Sequence, residues 1–452
     1  MEKQLKKGAA GFAVAMMLMA LSLQSHAQTV HAFSAKQAVD YAKKNSVAVK
    51  NALIDIKIQQ QTNREVTSAA LPQINAMGNL QDYLTIPTQL LPAEITGGPP
   101  GTFIPVQFGT KYNATGGVDV QQLLFDGQVF VGLQARRTVL EFASKQAEVT
   151  EEQIKANVYK LYYQLVVGQQ QITSIDANIS RFSKLLNDVN EIYKQGFAER
   201  LDIDKVQVQL NNLRTEKIKM QNQLRVGNAG LKFLMNMPQK DSLLLTDSLT
   251  EDELKSNLLD GQYNYNDRKE YQLLSLGLKL NEYNVRRYKL SRIPTLAAFG
   301  SYQKNAQRTK FDFFKGGEGR EWFTTSLIGL RLNVPIFDGF ARRAKIQSAK
   351  LEVEKAKNNL AQQQESIDNE VAASRLNMTS ALETIDNQKQ NVSLAEKVYN
   401  STKLKYEQGL GDNQEIYTAQ AELKVAQNNY YGALYDAIVA KIDYLKATGK
   451  LE

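Results

Sequence analysis

The chain has 452 residues, no cysteine, two histidines, one tryptophan and a formal net charge of +8. Without cysteine it holds no disulfide, thiolate metal site or thiol nucleophile. His26 and His31 both lie near the start, which leaves histidine acid–base chemistry and a His-rich zinc site without raw material.

The first segment reads as an address. Lys3, Lys6 and Lys7 precede a nearly continuous apolar run from Ala9 to Leu23, and Ser25-His26-Ala27 offers small residues at a cleavage spacing. Residues 1–27 are therefore expected to be a signal peptide, with Gln28 opening the mature chain. The run is shorter than the ~20 residues that span a bilayer, and no cysteine follows it for lipid attachment. Losing three lysines and one glutamate lowers the charge from +8 to +6. That excess is spread along the chain without a dense basic block, which argues against nucleic-acid binding. No apolar run of ~18 residues follows, so transmembrane helices are not expected.

Strict alternation comes next. Ile74, Ala76, Gly78, Leu80, Asp82, Leu84 and Ile86 alternate with Asn75, Met77, Asn79, Gln81, Tyr83 and Thr85. Tyr112, Ala114, Gly116, Val118, Val120, Gln122 and Leu124 alternate with Asn113, Thr115, Gly117, Asp119, Gln121 and Leu123. Side chains alternate across a strand, so strands with one apolar and one polar face are predicted at about 73–87 and 110–125. The Pro/Gly-rich stretch between Pro87 and Gly109 is predicted as a loop.

A long proline-free interval follows, from Gln128 to Gln195. Its Ala, Gln, Lys, Glu and Leu content favours helix, and at ~1.5 Å per residue such a helix would run about 100 Å. Ile172, Ile175, Ile179, Phe182, Leu186, Val189 and Tyr193 step by threes and fours. Ile203, Val206, Leu210, Leu213, Met220 and Leu224 keep the frame, with Lys217 the exception. This alternation predicts an antiparallel coiled-coil hairpin over 128–235 with its tip at Gly196. Residues 236–266 break the pattern and read as a small equatorial insertion.

The remainder repeats the plan. Strands are predicted at about 295–305 and 322–337, and a helical hairpin over 340–449 with Gly409 and Gly411 at its tip. Ile438 to Glu452 reads as a last helix ending near Gly449. Trp322 stands at one end of the fourth strand beside Phe323, with Phe311, Phe313 and Phe314 close in sequence. Such a group would suit an aromatic girdle at a membrane interface.

The two copies can be aligned on short marks. Leu71-Pro72-Gln73-Ile74 answers Ile293-Pro294-Thr295-Leu296 at a displacement of 222 residues. Phe125-Asp126-Gly127 answers Phe337-Asp338-Gly339 at 212, and Tyr193-Lys194-Gln195-Gly196 answers Tyr406-Glu407-Gln408-Gly409 at 213. Asp202-Ile203 and Gln207 match Glu415-Ile416 and Gln420. One order at nearly constant spacing indicates a tandem duplication, with repeats at 28–235 and 267–452. The predicted strands match the ~9–11 residues of tilted transmembrane strands, and their polar faces suit a water-filled lumen. Four strands cannot close a barrel, so chains must share one; two chains would supply eight strands and three would supply twelve.

Strand pair plus long hairpin, written twice, with Phe-Asp-Gly joints and Tyr-x-x-Gly tips, resembles the TolC-type outer-membrane efflux proteins. The resemblance covers essentially the whole mature chain. Its best marks are Val334-Pro335-Ile336-Phe337-Asp338-Gly339 and Tyr406-Glu407-Gln408-Gly409 followed by Glu415-Ile416. It implies an α+β membrane protein: a homotrimer whose twelve-stranded barrel continues into a helical periplasmic tunnel. It further implies work with a periplasmic adaptor (membrane fusion) protein and an inner-membrane transporter, expelling drugs or other toxic solutes through a passive duct in outer-membrane lipid. An exit duct for type I protein secretion and a non-conducting tether or adhesin with a barrel anchor are the alternatives. A tether needs neither a polar lumen nor an acidic constriction.

In that family the tunnel closes at its periplasmic tip, narrowed by acidic side chains past the tip glycine. The resemblance carries this gate onto Glu415 and its first-copy equivalent Asp202, where repeated carboxylates would favour cations. One turn on, Thr418 and Lys205 stand where a second acidic ring could be, so a single ring, or one partly neutralised by Lys205, is expected. The ordinary reading of both acids is a favourable helix N-terminal charge. Gly196, Gly409 and Gly411 are the tip positions where an adaptor would dock. Gly127, Gly339 and Pro335 mark the strand–helix joints.

Other signals are weak. Gly97-Gly98-Pro99-Pro100-Gly101 and Gly316-Gly317-Glu318-Gly319 lack the Walker lysine spacing and read as loops. Glu151-Glu152 reads as a solvated helix face. No nucleophile elbow or metal-ligand cluster is found, so neither enzyme activity nor a cofactor or metal is expected.

Overall fold

The computed structural model describes residues 30–248, 262–408 and 410–451. The expected signal peptide, Gly409 and the middle of the 236–266 insertion lie outside the described residues. The chain divides into two compact units. One is formed by residues up to Ala52 with Glu148–Lys269 and Glu365–Glu452; the other comprises Leu53–Ala147 and Glu270–Gln364.

The first unit is helical. A short strand β1 (Val30–Phe33) leads into α1 (Ala35–Asn45). Ser34 caps α1 by accepting the Gln37 N–H, and the Gln37 side chain accepts the Ser34 N–H in return. The unit also holds the tip portions of two long helix pairs: α3 (Gly127–Lys194) with α4 (Arg200–Met235), and α6 (Ala341–Glu407) with α7 (Asn413–Ala447). The residues from Ile438 onward continue α7 and form no separate helix, because no proline or glycine interrupts the run before Gly449.

The middle of the expected coiled-coil frame is buried, while Tyr193 at its tip end is 42 % exposed. Ile172, Ile175, Phe182 and Val189 on α3 and Ile203, Val206, Leu210 and Leu213 on α4 are all under 8 % exposed. Lys217, which breaks the frame, reaches Asp176 on α3 at 2.6 Å, so an interhelical ion pair replaces an apolar contact. Gly168 lies so close to Leu224 that a Cβ would meet its side chain at 2.7 Å.

The insertion contributes β6 (Ser242–Leu245), which pairs in parallel with β1. The Tyr162 hydroxyl, buried in the α1–α3–α4 core, donates to the Phe33 carbonyl at 2.8 Å. Glu152 departs from the solvated face expected of it: it is 9 % exposed, while Glu151 pairs with Lys43 of α1 at 2.7 Å. It shares its side of α3 with Ala156, which packs against α7.

The second unit carries a four-stranded antiparallel sheet of β2 (Gln73–Asp82), β5 (Tyr112–Phe125), β7 (Thr295–Arg308) and β8 (Phe323–Asn333), in that spatial order. It also contains α2 (Val47–Ser68) from Leu53 onward, and α5 (Lys269–Leu290) from Glu270 onward. Both helices have 22 residues, and each ends just before a matched proline, Pro72 or Pro294. The stretch expected as a loop after Pro87 contains a small hairpin, β3 (Thr88–Pro92) with β4 (Phe103–Gln107). Its strands are five residues long and carry prolines at 92 and 105, which masked them as breakers. β2 stops at Asp82 and β8 at Asn333, short of the expected 87 and 337. Pro335 has no N–H to continue a ladder. Among the described residues no helix is long and apolar enough to cross a membrane.

Candidate functional site: hairpin tips and sheet faces

The first tip turns on Gly196, whose φ of +82° is the left-handed conformation glycine adopts without a Cβ penalty. The Phe197 N–H donates to the Ile192 carbonyl at 3.1 Å and closes α3. In the second tip Leu410 N–H donates in the same manner to the Lys405 carbonyl at 2.9 Å. Gly411 sits close beneath, where a Cβ would meet the Tyr406 nitrogen at 3.2 Å.

The two acids expected at the gate occupy equivalent places, each in the first turn of the returning helix. They are used differently. The Asp202 carboxylate accepts the Glu199 N–H at 3.0 Å and is half-buried. Glu415 is exposed, and α7 is capped by Asp412, whose carboxylate accepts the Gln414 N–H at 3.3 Å. Lys205 and Thr418 are both exposed, and Thr418 donates to the Gln414 carbonyl at 2.9 Å.

Residues the sequence reading passed over join the two hairpins. The Tyr417 hydroxyl donates to the Asp202 carbonyl at 3.2 Å. Burial, reinforced by the nearby Asp202 charge, pushes its pKa well above that of an ordinary tyrosine. Higher up lies a layer of amides. Asn178 Nδ2 and Ser174 Oγ donate to Gln427 Oε1 at 2.9 and 3.0 Å. Gln420 Nε2 and Arg181 donate to Asn178 Oδ1 at 3.0 and 3.1 Å. Asn178 and Gln420 are 2 % and 3 % exposed, so this polar layer is part of the core. Gln420 was a repeat mark, and a polar residue placed between buried apolar positions was the signal available.

In the sheet, register brings the four alternations into phase. Ile74, Val120, Gly300 and Ile328 form one cross-strand row, followed by Ala76, Val118, Tyr302 and Ser326. The other face carries Asn75, Asp119 and Ser301, then Asn79, Thr115 and Asn305, with Leu327 and Phe323 of β8 completing the two rows. Thr115 donates to Asn305 at 2.8 Å across the strands. The apolar face is exposed: Ile74 is 68 % and Ile328 91 % accessible. β2 and β8 form the two edges. At the end of the sheet bearing the β2–β5 and β7–β8 connections, Phe313 packs on Ala114 and Ala306 of the apolar face. Trp322 lies 6.2 Å from Phe313, and Phe311 lies 5.6 Å from Phe313 and 5.8 Å from Tyr112.

At the opposite end, Asp126 accepts the Gln128 N–H at 2.7 Å and opens α3. A Cβ on Gly127 would stand 3.0 Å from the Leu290 carbonyl oxygen. In the second joint Gly339 takes φ +62°, and Asp338 accepts the Arg342 N–H at 2.9 Å. Among the described residues no cluster of His, Asp or Glu could hold a metal ion.

Comparison with known proteins agrees on the fold. Residues 274–450 match the family described as outer membrane efflux protein. The outer membrane protein TolC of Vibrio cholerae is 20 % identical over 340 residues, which are 74 % of this chain and 76 % of that protein. The crystal structure of CusC, from a study of its transmembrane channel formation, superposes with a TM-score of 0.75 at 15 % identity, covering 92 % of both chains. The Campylobacter jejuni CmeC outer membrane channel gives 0.71 at 16 %, covering 92 % of this chain and 85 % of its own. The matched second repeat, the duplicated strand-and-hairpin plan and this shared fold make the chain similar to the outer membrane efflux proteins.

Proposed function

We propose that the chain is one third of an outer-membrane exit duct. Three copies contribute four strands each to a twelve-stranded barrel, and their long hairpins form a tunnel below it. A periplasmic adaptor and an inner-membrane transporter deliver small molecules such as drugs or toxic solutes, and the duct itself supplies no energy. The observation that carries this reading is the sheet with in-phase polar and apolar faces and two open edges. An open edge in lipid leaves N–H and C=O groups unpaired, at a cost of several kcal/mol each. In the order β2–β5–β7–β8 the edge strands run in opposite directions, so β8 of one copy can pair antiparallel with β2 of the next. A ring of copies then leaves no edge, with water inside and lipid outside.

In this reading Asp202 and Glu415 narrow the periplasmic aperture, and Gly196, Gly409 and Gly411 shape the tips on which an adaptor docks. Trp322 and its phenylalanine neighbours mark the lipid–water boundary. Gly127, Gly339 and Pro335 convert strand to helix, and residues 1–27 direct export. Single-channel recording of the purified protein in planar bilayers, with native mass spectrometry for copy number, tests this. A protein that never conducts, even with Asp202 and Glu415 replaced by alanine, would end the duct reading.

A further inference from the structure

Lys304 is out of place on its face of the sheet. Pairing puts it in one cross-strand row with Gly78, Gly116 and Thr324. That row belongs to the face carrying Ile74, Val118, Val120, Tyr302 and Ile328. Three cations near it on the sheet and its connections have acid partners. Arg308 and Arg320 share Asp312, at 3.6 and 2.6 Å, and Lys111 stands 4.0 Å from Asp82. Among the described residues Lys304 is exposed and has no carboxylate within ion-pairing distance. Glycine on one side leaves it room: a Cβ on Gly116 or Gly78 would touch nothing within 4 Å.

Its height on the sheet decides what it can meet. Lys304 lies two residues below Ala306, which Phe313 covers, and at ~3.3 Å per residue that is about 7 Å. Trp322 precedes Phe323, the partner of Asn305, so the aromatic cluster and Lys304 are neighbours on one face. A lysine ammonium reaches that far along its own stem. A lysine on a lipid-facing strand is costly at mid-membrane and nearly neutral close to the interface. An ammonium that leaves the acyl chains at the aromatic level arrives among lipid headgroups.

We infer that Lys304, beside Trp322, holds the phosphate of an anionic lipid against the outer surface of the barrel. This rests on the membrane-barrel reading above. Complementary charge commits the site to a lipid: the cation is unpaired among the described residues, and it rises from an apolar face that a soluble partner would not cover. Thr324, next in the row, supplies a hydroxyl able to donate to a phosphate oxygen.

The chain carries its own reporter, because Trp322 is its only tryptophan. The full-length protein would be reconstituted in vesicles of phosphatidylglycerol and phosphatidylcholine, with one or the other lipid brominated on its acyl chains, and Trp322 quenching followed. The site predicts that brominated phosphatidylglycerol is preferred on the order of fivefold, the size expected for one lysine beside an anionic headgroup. Lys304→Gln should bring the ratio to about one, and Lys304→Arg should keep it. Equal quenching by both lipids in the wild type, or a preference that survives Lys304→Gln, would overturn the site. If inorganic phosphate replacing chloride at constant ionic strength abolishes the preference, the site takes a free anion and the lipid assignment fails. Absence of quenching by either lipid would instead strike the membrane-facing reading, so the two failures are separable.

Discussion

The Tyr417 hydroxyl donates to the main-chain carbonyl of Asp202 at 3.2 Å, tying the first turn of α7 to the first turn of α4. The ring itself is 9 % exposed, within the apolar cluster that includes Ile203, Val206 and Ile416. Packing and tie can therefore be separated. Tyr417→Phe keeps the ring and removes the hydrogen bond, which is worth about 1 kcal/mol. The expected outcome is a protein that folds, melts slightly earlier and shows a higher resting conductance in planar bilayers. An unchanged conductance would place the restraint elsewhere.

Asp202 and Glu415 are equivalent by position and unequal by use. Asp202 holds the Glu199 N–H, so Asp202→Ala removes a helix-start acceptor as well as a charge and should cost about 1 kcal/mol. Glu415 is exposed and α7 is capped by Asp412, so Glu415→Ala should leave the melting temperature nearly unchanged. Both changes should weaken cation preference measured from reversal potentials in a salt gradient. Unaltered selectivity in the double variant would remove the acids from the aperture.

How far the sequence could be read depended on what each element packs against. The strands were legible because one face is apolar over much of its length, and the α3–α4 frame because most of its stripe is buried within the chain. α2 was not, for a physical reason. Leu53, Ile54 and Ile58 are 50, 49 and 56 % exposed, and the helix buries only Val49 and Ala52. Its contact with α3 is largely polar, with Asn63 and Thr67 bonded to Arg136 at 2.9 and 2.7 Å, so its apolar residues follow no single stripe. α5 buries no residue fully and was missed in the same way. β1 and β6 are four residues each and pair across two hundred positions of sequence, beyond the reach of any local pattern. At the tips, the acids and glycines could be placed by alignment of the repeats. The Tyr417 tie could not, since it ends on a backbone carbonyl that no residue type reveals.

Two adjacent glycines should answer the same substitution in opposite ways. At Gly117 a Cβ would stand 2.6 Å from the Tyr302 carbonyl oxygen, a backbone atom of the neighbouring strand that can move only with its ladder. At Gly116 a Cβ meets nothing within 4 Å. Gly117→Ala should destabilise the detergent-solubilised protein by roughly 1–3 kcal/mol, as overpacking does, while Gly116→Ala should be neutral or slightly stabilising. Thermal unfolding of both variants checks this. Equal melting temperatures would mean that β5 and β7 do not approach as closely as the register requires.

Alkaline pH should loosen the helical unit through its tyrosines. The Tyr263 hydroxyl donates to Asp368 Oδ1 at 2.7 Å and that of Tyr265 to Oδ2 at 2.9 Å. The bond to Asp368 is the main reason the Tyr263 pKa is pushed up to about 12 from 10.0. Tyr417 is raised too, chiefly by burial. A group whose pKa is higher in the folded state binds more protons there than in the unfolded chain, so stability falls as pH rises through the interval between the two values. For Tyr263 that interval runs from about pH 10 to 12, and its contribution is complete below it. Denaturant midpoints measured from pH 9 to 12 should therefore decline, and Tyr263→Phe should flatten the decline by up to one proton because phenylalanine has nothing to lose. A Tyr263→Phe profile parallel to the wild type across that interval would show that the Asp368 bond does not hold the proton in solution.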